Sequence, residues 1–425
     1  MLDPQLDTRL QQAFRSASGG EGADFFLLPD SDDFSRIPSD PRNPLTAEKV
    51  TLGQMLYHET GLAINPVHEF SKGTYSCASC HFAAAGFQAG RAQGLADGGV
   101  GFGTNGEGRS KGVFYTADEV DAQPTRSPSV MNTAYQTNML WNGQFGATGV
   151  NTGTENRWTA DTPKAVNHLG YEGVETQAIA GLGVHRMDVE NSDEIMIWYQ
   201  TYFDDAFPDI PVADRYNKET AGLAIAAYER TVLANQAPFQ RYLKGEMNAL
   251  TAAEKRGALV FFETANCVNC HTGPALNSME FYGLGMKGLD ECADEVFRAG
   301  PELTGHLGRG EFTGLAEDNY KFKVPQLYNL ADSPFYGHGA SMNSIRTVIE
   351  YKNAAVSENA NVPDSQLADD FIPQNLTPDQ ITDLEAFLSN GLRDPDLMRY
   401  QPASVVSGNC FPNNDPMSRN QLGCE

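Results

Sequence analysis

Two pentapeptides, Cys77-Ala78-Ser79-Cys80-His81 and Cys267-Val268-Asn269-Cys270-His271, constrain this chain more than any other feature. In C-x-x-C-H each thiol adds to one vinyl group of a haem, and the adjoining His lies under the iron as its proximal ligand. Chance supplies on the order of 0.002 such pentapeptides in a chain of this composition. Two therefore mark two covalently attached haems c, held by Cys77, Cys80, Cys267 and Cys270, with His81 and His271 on the irons. A zinc ribbon would want its CxxC pairs some 15–20 residues apart, and these lie 190 apart. A thioredoxin-type pair would need a βαβ setting, and no buried-strand run flanks either motif.

A chain of 425 residues has room for two domains. Helical signals surround both motifs. Thr251-Ala-Ala-Glu254 is a capping box that opens a helix running towards Cys267, and Thr46 opens another that precedes Cys77. Further helices are expected near 192–207, across 218–244, over Ser344–Ala354 and from Thr377, where Pro378 takes the first helical position. Long alternating strand patterns are absent, so the fold class is mainly α, with long Gly-rich loops at Gly86–Gly112 and Gly143–Gly170. Loops of that length often form lids or ligand-binding surfaces. Each haem then belongs to its own helical unit, residues 1–242 and 243–425.

The formal net charge of −25 excludes a nucleic-acid surface and favours a cationic partner. No apolar run is long enough to span a membrane. Beyond the two motifs remain Cys292, Cys410 and Cys424. The last two read as a disulfide closing a small C-terminal loop, which fits an oxidising compartment, and Cys292 is left over. Met1-Leu2-Asp3-Pro4-Gln5 lacks a secretory signal, yet haem c is attached outside the cytoplasm in bacteria. The expectation is a periplasmic protein whose leader has been removed.

Most of residues 45–395 resembles the bacterial di-haem cytochrome c peroxidases and the related enzymes that mature the quinone cofactor of methylamine dehydrogenase. The landmarks are Leu52-Gly53, the first CxxCH, Ser127-Pro128-Ser129-Val130-Met131-Asn132, Leu140-Trp141-Asn142-Gly143 and Glu175-Thr176-Gln177-Ala178. They continue with Lys321-Phe322-Lys323-Val324-Pro325-Gln326-Leu327-Tyr328-Asn329 and Ser333-Pro334-Phe335-Tyr336-Gly337-His338. The resemblance implies two cytochrome c-like domains, a peroxidatic haem at His81, a relay haem at His271, and Trp141 between them. It implies hydrogen peroxide as substrate, a small cytochrome c or copper protein as donor, a homodimer, and one calcium ion between the haems. Arg126 stands where the family has an asparagine ligand to that ion, leaving backbone carbonyls near Asp332 and Pro334.

Peroxide cleavage needs a group that moves a proton from the near oxygen to the far one. The family uses a Gln and a Glu. Gln177 matches the first, but the Glu position reads Val184-His185-Arg186-Met187-Asp188. His185 is the substitute proton carrier and Arg186 the charge stabiliser. Phe114–Arg126 contains no His to cap the first haem, so that iron is expected to be five-coordinate or water-bound. For the sixth ligand of the second haem the candidates are Lys352, then Tyr351 and Met342. Ile345, Val348, Ile349 and Lys352 share one apolar face, and a buried lysine that loses its proton can bind iron. Three functions follow: a peroxidase, a peroxide-dependent oxidase acting on a partner protein, or a non-catalytic electron carrier.

Overall fold

A computed structural model describes residues 4–300 and 302–424; Met1–Asp3, with which the reading of the N-terminus begins, lie outside it. Helix α1 (Pro4–Ala17) is followed by α2 (Ala47–His58), whose N-cap Thr46 accepts from the Lys49 amide. A long stretch without helices of any length then carries the first CxxCH on a tight turn, Cys77–Ser79. It also carries a two-stranded ribbon, β1 (Gly99–Val100) with β2 (Ser110–Lys111). Next come α3 (Gly173–Val184), α4 (Asp193–Trp198), α5 (Gln200–Ala206), α6 (Lys218–Thr231) and α7 (Pro238–Leu243). The second unit holds α8 (Ala252–Leu259), the turn Cys267–Asn269 and a second ribbon, β3 (Phe281–Gly283) with β4 (Lys321–Lys323). Between and after those strands lie α9 (Arg309–Thr313), α10 (Ile345–Ala354), α11 (Pro378–Ala386) and α12 (Pro416–Leu422).

The helix expected over 218–244 is broken. Pro238 pushes Ala237 into an extended conformation (φ −55°, ψ 146°). The freed segment 232–237 pairs elsewhere: the Asn132 amide donates to the Val232 carbonyl and the Ala234 amide to Asn132 Oδ1.

Both motifs are presented by the same device. The helix that precedes each crosses a later helix at a glycine, so that backbones touch. A Cβ on Gly53 of α2 would lie 1.9 Å from the Ala224 carbonyl oxygen of α6, and one on Gly257 of α8 would lie 2.0 Å from the Asp383 carbonyl oxygen. Only a residue without a side chain permits either approach.

The packing crosses the 242/243 boundary in both directions. Helix α1 joins the second unit: Phe14 packs edge-on against Phe262 at 5.0 Å, and Asp7 pairs with Lys255 at 2.6 Å. The C-terminal tail joins the first. Tyr400 donates to the Leu233 carbonyl (2.6 Å), and Ser76 and Ser79 donate to the Pro412 carbonyl at 2.9 and 3.0 Å. Cys410 and Cys424 form the expected disulfide, which closes this tail, and Cys292 is free and half-buried. The Gly86–Gly112 loop is largely buried and backs onto the first motif, where a Cβ on Gly94 would fall 2.7 Å from Cys80 Sγ.

Candidate haem pockets and active site

The second motif opens into a cavity of about 440 Å³, within the range of cofactor sites, lined by Cys267, Cys270, His271, Trp141, His338 and Lys352 among others. His271 Nδ1 lies 3.0 Å from the Pro325 carbonyl, which fixes the ring and leaves Nε2 for a metal. Burial, helped by the Lys352 charge, pushes His271 down to about 4, so the imidazole is neutral. Cys267 and Cys270 are unbridged, and burial pushes Cys267 up to about 11. Neutral imidazole, two protonated thiols and an apolar cavity fit a thioether-bound haem and do not fit a thiolate-bound metal.

Lys352 reaches this cavity from α10, and burial lowers it to about 8 against the opposing pull of Cys267 and Cys270. Its Nζ lies 5.9 Å from the centre of the Phe371 ring. Tyr351 turns away and donates to the Leu284 carbonyl, while Met342 is buried outside the cavity lining, its backbone paired with Tyr336. Of the three candidates, Lys352 alone lines the cavity.

At the first motif, Cys77 and Cys80 are also unbridged and raised by burial to about 12. The His81 ring is buried facing the Phe87 and Pro128 backbone, and burial, then the nearby His185, lowers His81 to about 4. The Tyr57 hydroxyl of α2 donates to the His81 carbonyl at 2.6 Å. The same group as at the second motif fits here.

Helix α3 (Gly173–Val184) and its C-cap carry Gln177 and His185, the residues expected on the distal side of the first haem. Gln177, Gly181 and His185 recur every fourth position and share one face. A Cβ on Gly181 would meet only Gln177 Nε2, at 3.6 Å, so the face between Gln177 and His185 is open. His185, at the C-cap, places Nδ1 2.9 Å from Asp121 Oδ2, and Asp121 is buried. That carboxylate outweighs burial and the Arg186 charge and raises the His185 pKa. Arg186 is placed differently from the expectation. Its backbone is left-handed (φ 56°), and its guanidinium pairs with buried Asp97 and donates to the Glu119 carbonyl at 2.9 Å. Its charge is committed to a carboxylate, which makes it a strut of the loop, not a free stabiliser of a leaving oxygen.

Asp97 and Asp121 went unrecognised in the sequence because no motif marks them. They form one platform: the Asp121 amide donates to the Asp97 carbonyl (2.8 Å) and the Ala96 amide to the Asp121 carbonyl (3.0 Å). Trp141, expected between the two haems, is placed by its contacts with the second cavity and with Arg126. It lines the second cavity, and its Nε1 donates to the Arg126 carbonyl (2.8 Å), just ahead of the Ser127-Pro128 strap beside His81. The His338 ring meets it edge-on at 6.3 Å and stacks on Phe322 at 3.5 Å.

The di-haem cytochrome c peroxidase family model matches residues 47–248. The methylamine utilization protein MauG of Methylophilus methylotrophus is 27% identical over 371 residues, covering 85% of this chain and 89% of its own. The cytochrome-c peroxidase IdrP1 of Denitromonas iodatirespirans is 27% identical over 374 residues, 83% of each chain. Among solved structures, a MauG-like protein associated with microbial copper homeostasis superposes with a TM-score of 0.58 at 24% identity, over 87% of this chain and 96% of that one.

Proposed function

We propose that the chain is a member of the di-haem cytochrome c peroxidase family, whose model matches residues 47–248, and that it reduces hydrogen peroxide to water at the His81 haem, with electrons relayed from the His271 haem by way of Trp141. The chain is a peroxidase-like oxidoreductase, and the family implies two haems c. When bound, these supply the electrons and the iron that binds peroxide.

The observation that supports this reading best is the His185–Asp121 pair beside His81. With Nδ1–H donated to Asp121, His185 Nε2 is free to take the proton from the near oxygen of peroxide and hand it to the far oxygen. The O–O bond then breaks and the far oxygen leaves as water, while two electrons from the donor, by way of the haems, and two protons from solvent would carry the near oxygen to the second water. Gln177 orients the substrate from the same helix face, and Arg186 holds the His185 turn against Asp97. Lys352, once it has lost its proton, would hold the second iron together with His271, since both line the same cavity. His185→Ala is expected to slow the reaction with peroxide about 100-fold, measured by stopped-flow absorbance, with His185→Gln equally slow. An unchanged rate in both removes His185 from the mechanism.

The reading extends to finer points. It puts the protein in the periplasm, with a small cytochrome c or copper protein as donor and a homodimer as the assembled form; donor-dependent turnover and light scattering test these. A calcium ion on carbonyls near Asp332 and Pro334 is disfavoured by Arg126, whose buried guanidinium donates to Ser333 Oγ between them. Metal analysis of the desalted holoprotein checks this, and retained calcium counts against it.

A second reading, peroxide-dependent oxidation of a partner protein, is favoured by one surface. Phe70, Val113 and Phe114 are exposed, and the adjoining Tyr115 donates to Asp97, which holds Arg186. A covalent change in a partner after peroxide addition, with little turnover of reduced cytochrome c, would support it over the first.

A further inference from the structure

Two buried cations line the second cavity, and neither is paired with a carboxylate among the described residues; Asp370, which also lines it, is exposed and stands near Cys270. Lys323 is 5% exposed and Arg126 1%. Lys323 Nζ donates to the Asn138 carbonyl at 2.6 Å and to Gln136 Oε1, which leaves one of its three N–H groups unused. The Arg126 guanidinium donates to the Arg91 carbonyl (3.0 Å), to Gln88 Oε1 (3.1 Å) and to Ser333 Oγ, three of its five N–H groups. Every one of these partners is neutral, and neither cation has an ion pair among the described residues. Burial lowers Lys323 to about 7 and Arg126 to about 10. Such charges are strongly disfavoured in a protein interior unless a counter-charge joins them.

We propose that Lys323 and Arg126 form the seat for the two propionate carboxylates of the haem attached at Cys267 and Cys270, and that their charge sets that haem's reduction potential. Haem c brings two carboxylates, at the edge remote from the vinyl groups that the thiols take, so two cations meet two anions. The placement is coupled to the rest of the site. Lys323 ends β4 two residues before Pro325, whose carbonyl holds His271, so one short segment fixes both imidazole and ammonium. The Lys323 amide donates to the Trp141 carbonyl and the Arg126 carbonyl accepts from Trp141 Nε1, so both cations are tied to the bridging indole. Positive charge beside the haem favours its ferrous form, and removing it lowers the potential. The inference rests only on haem attachment at the second motif, and it stands or falls apart from the peroxidase reading.

The test is a spectroelectrochemical titration of the holoprotein without peroxide, comparing wild type, Lys323→Met, Lys323→Arg and Arg126→Gln. The expected result is a downward shift of the His271 haem potential in Lys323→Met and in Arg126→Gln, with Lys323→Arg near wild type. Potentials unchanged in Lys323→Met, with both haems attached, overturn the proposal. So does an equal shift in Lys323→Arg and Lys323→Met, which is the mark of altered packing. If Lys323→Met does not accumulate with haem, Arg126→Gln and Lys323→Arg decide: a lowered potential in the first and a retained one in the second support the seat, and no shift in the first overturns it.

Discussion

At His185 one hydrogen bond acts twice. Asp121 turns the ring so that Nε2 faces away from the loop, and its charge raises the imidazole pKa against burial and the nearby Arg186 charge. Asp121→Asn keeps a partner for Nδ1 but removes the charge, so the His185 pKa falls. The acid limb of the pH–rate profile for peroxide cleavage should then move to lower pH; a limb that stays put contradicts the assignment. Lys352→Met tests the other iron. A thioether in place of nitrogen should raise the potential of the His271 haem and change its long-wavelength absorption, whereas an unchanged spectrum excludes Lys352 as ligand. A third group reports on stability. Burial, with the Glu175 charge, pushes Glu229 up to about 8, and its Oε2 has no partner among the described residues. Its folded pKa lies above the unfolded one, so its contribution is fully present below about pH 4.5 and is lost as pH rises to about 8. Glu229→Gln should flatten that part of the stability profile, as measured by denaturant titration at several pH values.

Among the helices, what was legible in sequence was what is locally written. Thr46, Thr251 and Thr377 cap the helices they were expected to cap, because each side chain reaches an amide three residues on. Pro238 already barred one continuous helix, but the place of the break, after Thr231, was not legible, because it depends on Asn132, a hundred residues away, claiming the 232–234 backbone. Asp97 and Asp121 were missed for the same reason: their partners are brought to them only by the fold. The Gly53 and Gly257 crossings fall between these cases. Gly53 stood in a family landmark, but its reason, contact with the Ala224 backbone, is visible only in three dimensions. Gly53→Ala and Gly257→Ala should each destabilise the holoprotein by about 1–3 kcal/mol or more in chemical denaturation. Gly183→Ala, on α3 with open space around it, should cost nothing and gain helix propensity.

Over the whole molecule, the net charge of −25 acts at long range. Turnover with a basic donor should fall as ionic strength rises, through the association rate, and a salt-independent kcat/KM would argue against electrostatic steering. The two motifs and the helices that lead into them, α2 and α8, were readable in the sequence. The exchange of termini was not, since neither α1 nor the tail carries a motif. Helix α1 is clamped to the second unit through Phe14 and Asp7, and residues 400–424 are clamped to the first through Tyr400 and Pro412. The halves are therefore laced together like crossed straps, and neither can pivot on the other without undoing both ends of the chain. Electron tunnelling is acutely sensitive to distance, so for the relay proposed above a laced body would fix the length of the jump between haems when the protein folds and keep it the same through every turnover.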